Sequence, residues 1–505
     1  MSPHSALPVP HKWRLMTTML LLGFSAGLPL MLIFSTLSLW LTEAGVERKT
    51  VTLFSWAALA YSFKFIWSPL LDSFKLPILS HKLGQRRAWL LLAQSFMIAA
   101  VCIMASVNPN TQVSGSLNIM AVGAVLLGFA SATQDIAIDA YRIEAAPNDA
   151  AAQSAAAAAY TAGYRIAMFV SGAGSLLLAT HFGSTTEQYQ YHAWRNTYWI
   201  MAAIMGIGIL TTLFIHEPTV KQHHKHHLNQ ENGRLLLAFM LAIAAFIAVF
   251  RVSGSLLPET GTPFIKFIWE SVRMLLSLLA FLTTAWLTVQ LNIVSKQTAT
   301  QTLLEPLTDF FQRYGKRAIL LLALIGLYRI SDIVSGVISN VFYADLGFSK
   351  EEIAWAVKTF GVIMSVIGGF AGGLLAQKFR IMNMMMLGAI AAAATNLLFA
   401  LLAMHGHDLP LMYTAVGLDN FAAGLAGTVF VAFLSALTNI RFTAVQYALF
   451  SSLMTLFPKM LGGYSGTIVN EIGYAPFFIF TAVLGVPILF LVWHADQVLF
   501  QSEKN

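Results

Sequence analysis

Charged residues stand inside long apolar stretches of this sequence, where an uncompensated charge is costly. Asp135 and Asp139 lie four residues apart in one apolar window, so a helix would place both on the same face. Two neighbouring carboxylates in a low-dielectric site do not both ionise easily, which suits a group that carries a proton. The alternative is a structural or gating ion pair with Arg142, three residues after Asp139. The spacing leaves both interpretations open.

Isolated cations lie in other apolar windows. Pairing on one helix requires an acidic residue three or four positions away, and these cations have none. They are Lys64, Arg165, Lys358 and Lys459. We therefore expect their partners on other helices or in an anionic ligand. Tyr61 lies one turn before Lys64, and Gln446 adds a neutral hydrogen-bonding group. These neutral groups suit a glycan, although interhelical hydrogen bonds explain each of them equally well.

Further charges occur in the second part of the chain. Arg329 and Asp332 are three residues apart and can pair on one helix, whereas Asp419 stands alone in a later window. A structural ion pair and a part in ligand binding, proton coupling or gating all fit the Arg329 and Asp332 spacing.

Apolar helices must carry these residues. Of the 505 residues 57% are hydrophobic and 10% are charged, against about 25% charged residues in a soluble domain. A membrane-spanning helix needs roughly 20 apolar residues, and its backbone polar groups must pair within the segment. The windows predict an all-α membrane protein with about 14 transmembrane helices, at residues 15–41, 51–71, 88–107, 116–143, 155–180, 196–215, 235–251, 268–293, 318–343, 352–374, 381–404, 410–437, 442–468 and 474–497.

The windows divide into six, two and six. Arg165 and Lys459 are each followed by a glycine seven residues later, in corresponding spans of the two groups. Such correspondence indicates a parallel duplication around a central cavity. We predict an N-terminal six-helix half at 1–215, a cytoplasmic His-rich linker with two extra transmembrane helices at 216–317, and a C-terminal six-helix half at 318–505.

Loop charges predict the orientation. Basic residues concentrate in the loops on the side of the two chain ends, which places both termini in the cytoplasm; examples are Lys12, Arg14, Lys82, Arg86, Arg87, Lys316, Arg317, Lys378 and Arg441. The same bias explains the net charge of +7 without nucleic acid as a partner.

A histidine-rich loop is the only candidate for metal binding in the sequence. It contains His216, His223, His224, His226 and His227, and it suits either a metal-binding or pH-sensing cluster or a solvated loop. No spaced carboxylate or cysteine ligand accompanies it, so we predict neither a metal site nor a cofactor. With one cysteine, Cys102, no intrachain disulfide can form.

Several strings resemble those of a known transporter family. Asp72 and the later Gly84-Gln85-Arg86-Arg87 look like a degenerate form of the major facilitator loop between spans 2 and 3, in which the acidic residue caps a helix dipole and the arginines clamp the two halves. Longer strings are similar to those of the AmpG muropeptide permeases: GFSAGLPL at 23–30, FKFIWSPLLD at 63–72, SATQDIAIDA at 131–140, GYR at 163–165 and AVQYAL at 444–449. The string at 131–140 also resembles acetyl-CoA transporters.

The resemblance implies a major facilitator fold and proton-coupled import of anhydromuropeptides, the GlcNAc-anhydroMurNAc peptides of cell-wall recycling, across the cell inner membrane. A substrate site of Tyr61, Lys64, Arg165, Lys358, Lys459 and Gln446, and a coupling or gating set of Asp135, Asp139, Arg329 and Asp332, are then expected. The extra helix pair between the halves departs from the family pattern.

Other functions remain open. Another organic anion, such as acetyl-CoA or a sugar conjugate, would also suit the cations, and a non-transporting muropeptide sensor is a further alternative. No nucleophile–base pair or metal-ligand spacing indicates an enzyme. We expect the transporter to act as a monomer in the lipid bilayer.

Overall fold

The structure, a computed structural model, is built from α-helices with short 3₁₀ and π segments. No strand occurs in the ranges it describes, which are residues 9–46, 54, 57, 59–110, 115–147, 149–185, 188–218, 229–256, 263–462 and 465–500.

The first half consists of long helices, several of which are interrupted near the middle. A 3₁₀ turn at Lys64–Ile66 separates α3 from α4, and a π-helical segment at Val170–Gly174 separates α8 from α9. Such breaks often accompany functional sites because they redirect side chains and free backbone groups. The helices are α1 (Val9–Ile33), α2 (Ser35–Glu43), α3 (Leu59–Phe63), α4 (Ser68–Ser73), α5 (Leu79–Leu83), α6 (Gln85–Ala105), α7 (Ser116–Ala145), α8 (Ala150–Phe169), α9 (Ser175–His181) and α10 (Tyr191–Phe214).

Two inserted helices and a connecting segment follow. The inserted pair, α11 (Asn229–Leu256) and α12 (Pro263–Gln290), packs on the first half; the rings of Phe246 and Phe63, for example, are 6.5 Å apart. The connection then runs through α13 (Lys296–Ala299), a π-helical segment at Thr300–Leu304, and α14 (Glu305–Tyr314).

The connecting segment changes partners along its length. Ala299 packs in a hydrophobic cluster of the first half. Pro306 accepts a hydrogen bond through its carbonyl from Gln446 of the second half, at 2.8 Å. The crossing from one half to the other therefore falls in Thr300–Leu304.

The second half repeats the pattern of long, interrupted helices. A π-helical segment at Ala354–Phe360 precedes α18, and a 3₁₀ turn at Ile440–Phe442 precedes α21. The helices are α15 (Arg317–Leu327), α16 (Ile330–Asp345), α17 (Lys350–Ile353), α18 (Gly361–Lys378), α19 (Ile381–His405), α20 (Leu409–Leu437), α21 (Thr443–Gly462), α22 (Ser465–Ile472) and α23 (Tyr474–Phe500).

The predicted membrane spans are confirmed in the part of the chain that the structure describes. There, 13 helical stretches are long and apolar enough to cross a membrane, and each overlaps a predicted window. The remaining window, 51–71, falls partly outside the described residues; its described part holds α3 and α4.

The hydrophobic core differs between the two ends of the bundle. We call the end where α1 begins and α23 finishes the terminal face. Toward it, Ala444 and Ala448 of α21 join a cluster of the first half, and Ile143 of α7 joins a cluster of the second half. At the opposite end, two further clusters each draw on one half alone. The halves are thus joined by apolar packing at the terminal face.

Close helix packing in the second half depends on glycine. At Gly424 of α20, an added Cβ would overlap the backbone carbonyl oxygen of Ser365 in α18, whereas at Gly427 it would meet nothing within 4 Å. We expect Gly424→Val to lower the stability of the purified protein by about 1–3 kcal/mol, as overpacking does. Thermal unfolding in detergent measures this effect, and Gly427→Val is the matched control. Equal melting temperatures of the two variants would contradict the packing argument.

Candidate functional site

A charged cluster joins α7 to the break between α3 and α4. Lys64 lies in the 3₁₀ turn, and its ammonium is 3.7 Å from a carboxylate oxygen of Asp139. Arg142 contacts the other oxygen of Asp139 at 3.3 Å. Lys64 and Arg142 are both buried. Asp139 therefore holds two cations, so the predicted ion pair with Arg142 is present and the partner expected for Lys64 on another helix is found.

Tyrosines surround the second carboxylate of α7. The Tyr160 hydroxyl is 3.5 Å from a carboxylate oxygen of Asp135. The rings of Tyr160 and Tyr164, one turn apart on α8, have centroids 6.0 Å apart. Tyr61 donates to the Ser131 hydroxyl at 2.7 Å. Aromatic faces beside carboxylate and hydroxyl groups are suited to sugar rings, which present both apolar and hydroxylated surfaces.

The first cluster reaches the second half. Arg142 donates to the Ser435 hydroxyl of α20 at 2.7 Å, and its guanidinium lies 5.1 Å from the centre of the Tyr447 ring of α21. Lys459, also on α21, is close enough to Lys64 for the two cations to repel each other. The site is therefore shared between the halves.

A second cluster contains Arg165, Arg329, Asp332 and Asp419; we call it the four-charge cluster. Arg329 forms an ion pair with Asp332, with Nε 3.0 Å from the carboxylate. Arg165 of the first half faces both residues of that pair across the interface. Asp419 accepts a hydrogen bond from Thr395 at 3.0 Å and interacts electrostatically with Asp332 and Arg329.

Two of the predicted substrate residues lie apart from these clusters. Lys358 is exposed in the π-helical segment before α18 and has no ion-pair partner in the described ranges. Gln446 is buried beside the connecting segment. It accepts hydrogen bonds from Arg313 and the Asn439 amide, and it donates to Asp309 and the Pro306 carbonyl, all within 2.9 Å. The structure thus places Tyr61, Lys64 and Lys459 in or beside the first cluster and Arg165 in the four-charge cluster, whereas Lys358 and Gln446 belong to neither.

The terminal face is closed by an ion triad. The Nη2 atom of Arg86 is 2.6 Å from both Asp72 and Glu144, and it donates to the Thr443 hydroxyl of the second half at 3.0 Å. The carboxylate of Asp72 accepts from the backbone N–H groups of Ala444 and Val445, in the first turn of α21. The helix-capping role expected for Asp72 is confirmed, and the cap joins the halves.

Only one of the two predicted clamping arginines forms the bridge. Arg87 donates instead to the carbonyl groups of Thr212 and Leu213, at the end of α10 in its own half. Glu217 accepts from the backbone N–H groups of Arg86 and Arg87 at 2.7 and 3.0 Å. Burial raises the pKa of the Glu217 carboxyl, which the two N–H groups oppose.

Sequence reasoning missed Glu144, Tyr160, Thr395 and the part played by Asp419. Glu144 carried a signal, because it is an acidic residue at the end of an apolar window, but its partners are 58 and 299 residues away.

In the described part of the chain, no group of three His, Cys, Asp or Glu residues could hold a metal ion. Of the histidine-rich loop, His223, His224, His226 and His227 lie outside the described residues.

Solved structures identify the fold. The structure matches the proton:xylose symporter XylE of the major facilitator superfamily with a TM-score of 0.61 over 96% of each chain, at 12% sequence identity. It matches the fucose:proton symporter FucP of Escherichia coli with a TM-score of 0.53, over 98% of this chain and 100% of that chain, at 14% identity. The protein therefore has the major facilitator fold of these two structures.

Sequence comparison gives the family. The chain is 31% identical to the putative transporter AmpG 4 of Rickettsia felis over 94% of this chain and 95% of that protein. It is 30% identical to the anhydromuropeptide permease of Escherichia coli strain K12 over 96% of this chain and 81% of that protein. The family model described as acetyl-coenzyme A transporter 1 matches residues 15–232. The chain belongs to the AmpG permease family.

Proposed function

We propose that this transporter imports anhydromuropeptides, GlcNAc-anhydroMurNAc and its peptides, from the periplasm to the cytoplasm together with protons. The observation that carries the proposal is the site between the two halves in which Lys64 and Lys459 lie near the tyrosines around Asp135, with Arg165 in the four-charge cluster. Cations at membrane depth suit the carboxylates of a peptide, and tyrosine faces suit a disaccharide. The name of the Escherichia coli relative supports the same substrate.

The predicted site residues other than Gln446 each have a proposed role. Tyr61, Lys64, Arg165 and Lys459 contact the substrate, and the exposed Lys358 meets it as the halves move. Asp135 and Asp139 carry or gate the coupling proton, and so do Arg329 and Asp332. Gln446 is left out of the contact set because its amide oxygen and nitrogen are both engaged with the connecting segment and its neighbours.

The closed terminal face defines the proposed conformation. The basic loops support a cytoplasmic location for both termini of an inner-membrane protein, and with that orientation the Arg86 triad closes the cytoplasmic side. The conformation described is then the one that receives substrate from the periplasm. We propose that the two six-helix halves of a monomer, 1–215 and 318–505, rock about the central site, and that the inserted pair moves with the first half.

Uptake into proteoliposomes tests this function. Vesicles containing the full chain should accumulate radiolabelled GlcNAc-anhydroMurNAc-tripeptide when a proton gradient, acidic outside, is imposed. An uncoupler should abolish accumulation but leave exchange between labelled and unlabelled substrate. No uptake above that of empty vesicles would reject the substrate, and accumulation that resists the uncoupler would reject proton coupling.

Transport of acetyl-CoA is the second candidate, because the matching family model bears that transporter's description. Its phosphates would also suit the cations of the site. Competition in the same vesicles separates the candidates: excess unlabelled acetyl-CoA should leave muropeptide uptake unchanged. Uptake of labelled acetyl-CoA in place of muropeptide would favour this alternative.

A further inference from the structure

Asp419 is the carboxylate of the four-charge cluster that has no ion-pair partner in the described residues. Its hydrogen-bond partner can serve both protonation states. The Thr395 hydroxyl lies 3.0 Å from Asp419 and 3.1 Å from the Ala392 carbonyl oxygen. When it donates to Asp419 it stabilises a carboxylate; when it donates to Ala392 its oxygen can accept a hydrogen bond from a neutral carboxyl.

A second hydrogen bond links α19 to α16 beside Thr395. Asn396, next to Thr395 on α19, donates to the Ser331 hydroxyl at 2.8 Å. Ser331 precedes Asp332 on α16. Through Thr395 and Asn396, α19 therefore contacts both Asp419 and the residue next to Asp332, which fixes the positions of the two acidic residues relative to each other. A pair of carboxylates held close together tends to share one proton unless cations neutralise both.

The charges that act on Asp419 are Asp332 of α16 and Arg329 of the turn before it. Arg165, on α8 of the other half, interacts in turn with Arg329 and Asp332. Tyr343 also faces Asp419, and Tyr164 and Tyr328 face the arginines. With both carboxylates ionised, the two arginines balance them and the cluster is neutral.

We propose that an anionic group of the substrate binds between Arg165 and Arg329, and that Asp419 and Asp332 then take up one proton between them. The bound anion draws Arg329 away from Asp332 and leaves the cluster with one excess negative charge, which a proton from the periplasmic water neutralises. Asp419 is a positioning residue for this coupling. The inference rests on the proposed function for the identity of the anion, but not for the behaviour of the four side chains.

Infrared spectra of the full chain in nanodiscs test the charge balance without substrate. Removing one arginine should have the same effect on the cluster as adding an anion. Arg329→Gln, and independently Arg165→Gln, should therefore gain the carbonyl stretch of about one protonated carboxyl relative to the unchanged protein. Adding Asp419→Asn to either variant should remove that band. Asp345→Asn is the matched control, because Asp345 bonds to Tyr474 at the far end of α16, and it should leave the band in place.

The outcomes separate this inference from the proposed function. No band in both arginine variants, or a band that persists with Asp419→Asn, would overturn the inference. GlcNAc-anhydroMurNAc-tripeptide should produce the same band in the unchanged protein. If that compound is transported without producing it, the inference fails. If it is neither bound nor transported while the arginine variants behave as expected, the proposed substrate is rejected, but the inference that Asp332 and Asp419 share one proton is retained.

Discussion

Arg86→Ala reduces substrate uptake by at least tenfold and opens the terminal face: this is the expected result of removing the cation that joins the halves. Asp72 and Glu144 would stay buried without the guanidinium that both contact at 2.6 Å. Breaking a buried ion pair in this way costs about 3–5 kcal/mol. Because the triad also bonds to Thr443 and the first turn of α21, the cost falls on the closed conformation. The population of the closed conformation relative to the open one should fall by about two to four orders of magnitude.

Two measurements check the Arg86 prediction. Spin labels on α4 and α21 should move apart at the terminal face, and proton-driven uptake should fall. Arg87→Ala is the matched control, because the Arg87 side chain donates to the end of α10 in its own half; it should keep the label distance and most of the uptake. Labels that stay together in the Arg86 variant would show that the triad is not what holds the halves closed.

Asp139→Asn is expected to abolish accumulation driven by the proton gradient while the protein still inserts in the membrane. An amide keeps the size of the carboxyl but carries neither the negative charge that holds Lys64 and Arg142 nor an exchangeable acidic proton. If Asp139 is part of proton coupling, exchange of labelled for unlabelled substrate should continue, because exchange needs no net proton movement.

Comparing accumulation with exchange decides the role of Asp139. Asp496→Asn serves as the control, since it alters an exposed pair with Arg380, and exposed pairs contribute about 0–1 kcal/mol. Normal accumulation by the Asp139 variant in loaded vesicles would remove this residue from the mechanism. Loss of both accumulation and exchange would assign it to the structure of the site instead.

The helices could be predicted because a lipid bilayer allows few backbone conformations in a segment that spans it. Backbone groups in hydrocarbon must pair within their own segment, so apolar length alone places a helix. The span predicted at 381–404 differs by one residue from α19 at Ile381–His405, and the span predicted at 410–437 differs by one residue from α20 at Leu409–Leu437. The breaks inside helices could not be predicted in the same way, because Lys64–Ile66 and Val170–Gly174 lie within windows that are long and apolar enough for one continuous helix.

The site was predictable as a set of residue types but not as a set of contacts. An isolated charge in an apolar window signals a partner elsewhere, and this led correctly to a partner for Lys64 on another helix. It could not say that the partner is Asp139, 75 residues away, or that Asp135 faces Tyr160. Gln446 shows the opposite case, since its sequence position carries no sign of the connecting segment that occupies its amide group.

The short crossing at Thr300–Leu304 limits how far the halves can separate at the terminal face. On one side Ala299 is held by the first half, and on the other Pro306 is held by Gln446. Five residues span about 7 Å as a helix, at roughly 1.5 Å each, and about 17 Å when fully extended. Unwinding the π-helical turn would therefore let the two halves move about 10 Å further apart while Ala299 and Pro306 keep their contacts. Shortening the segment by one or two residues should reduce this maximum separation without changing any residue that contacts the substrate.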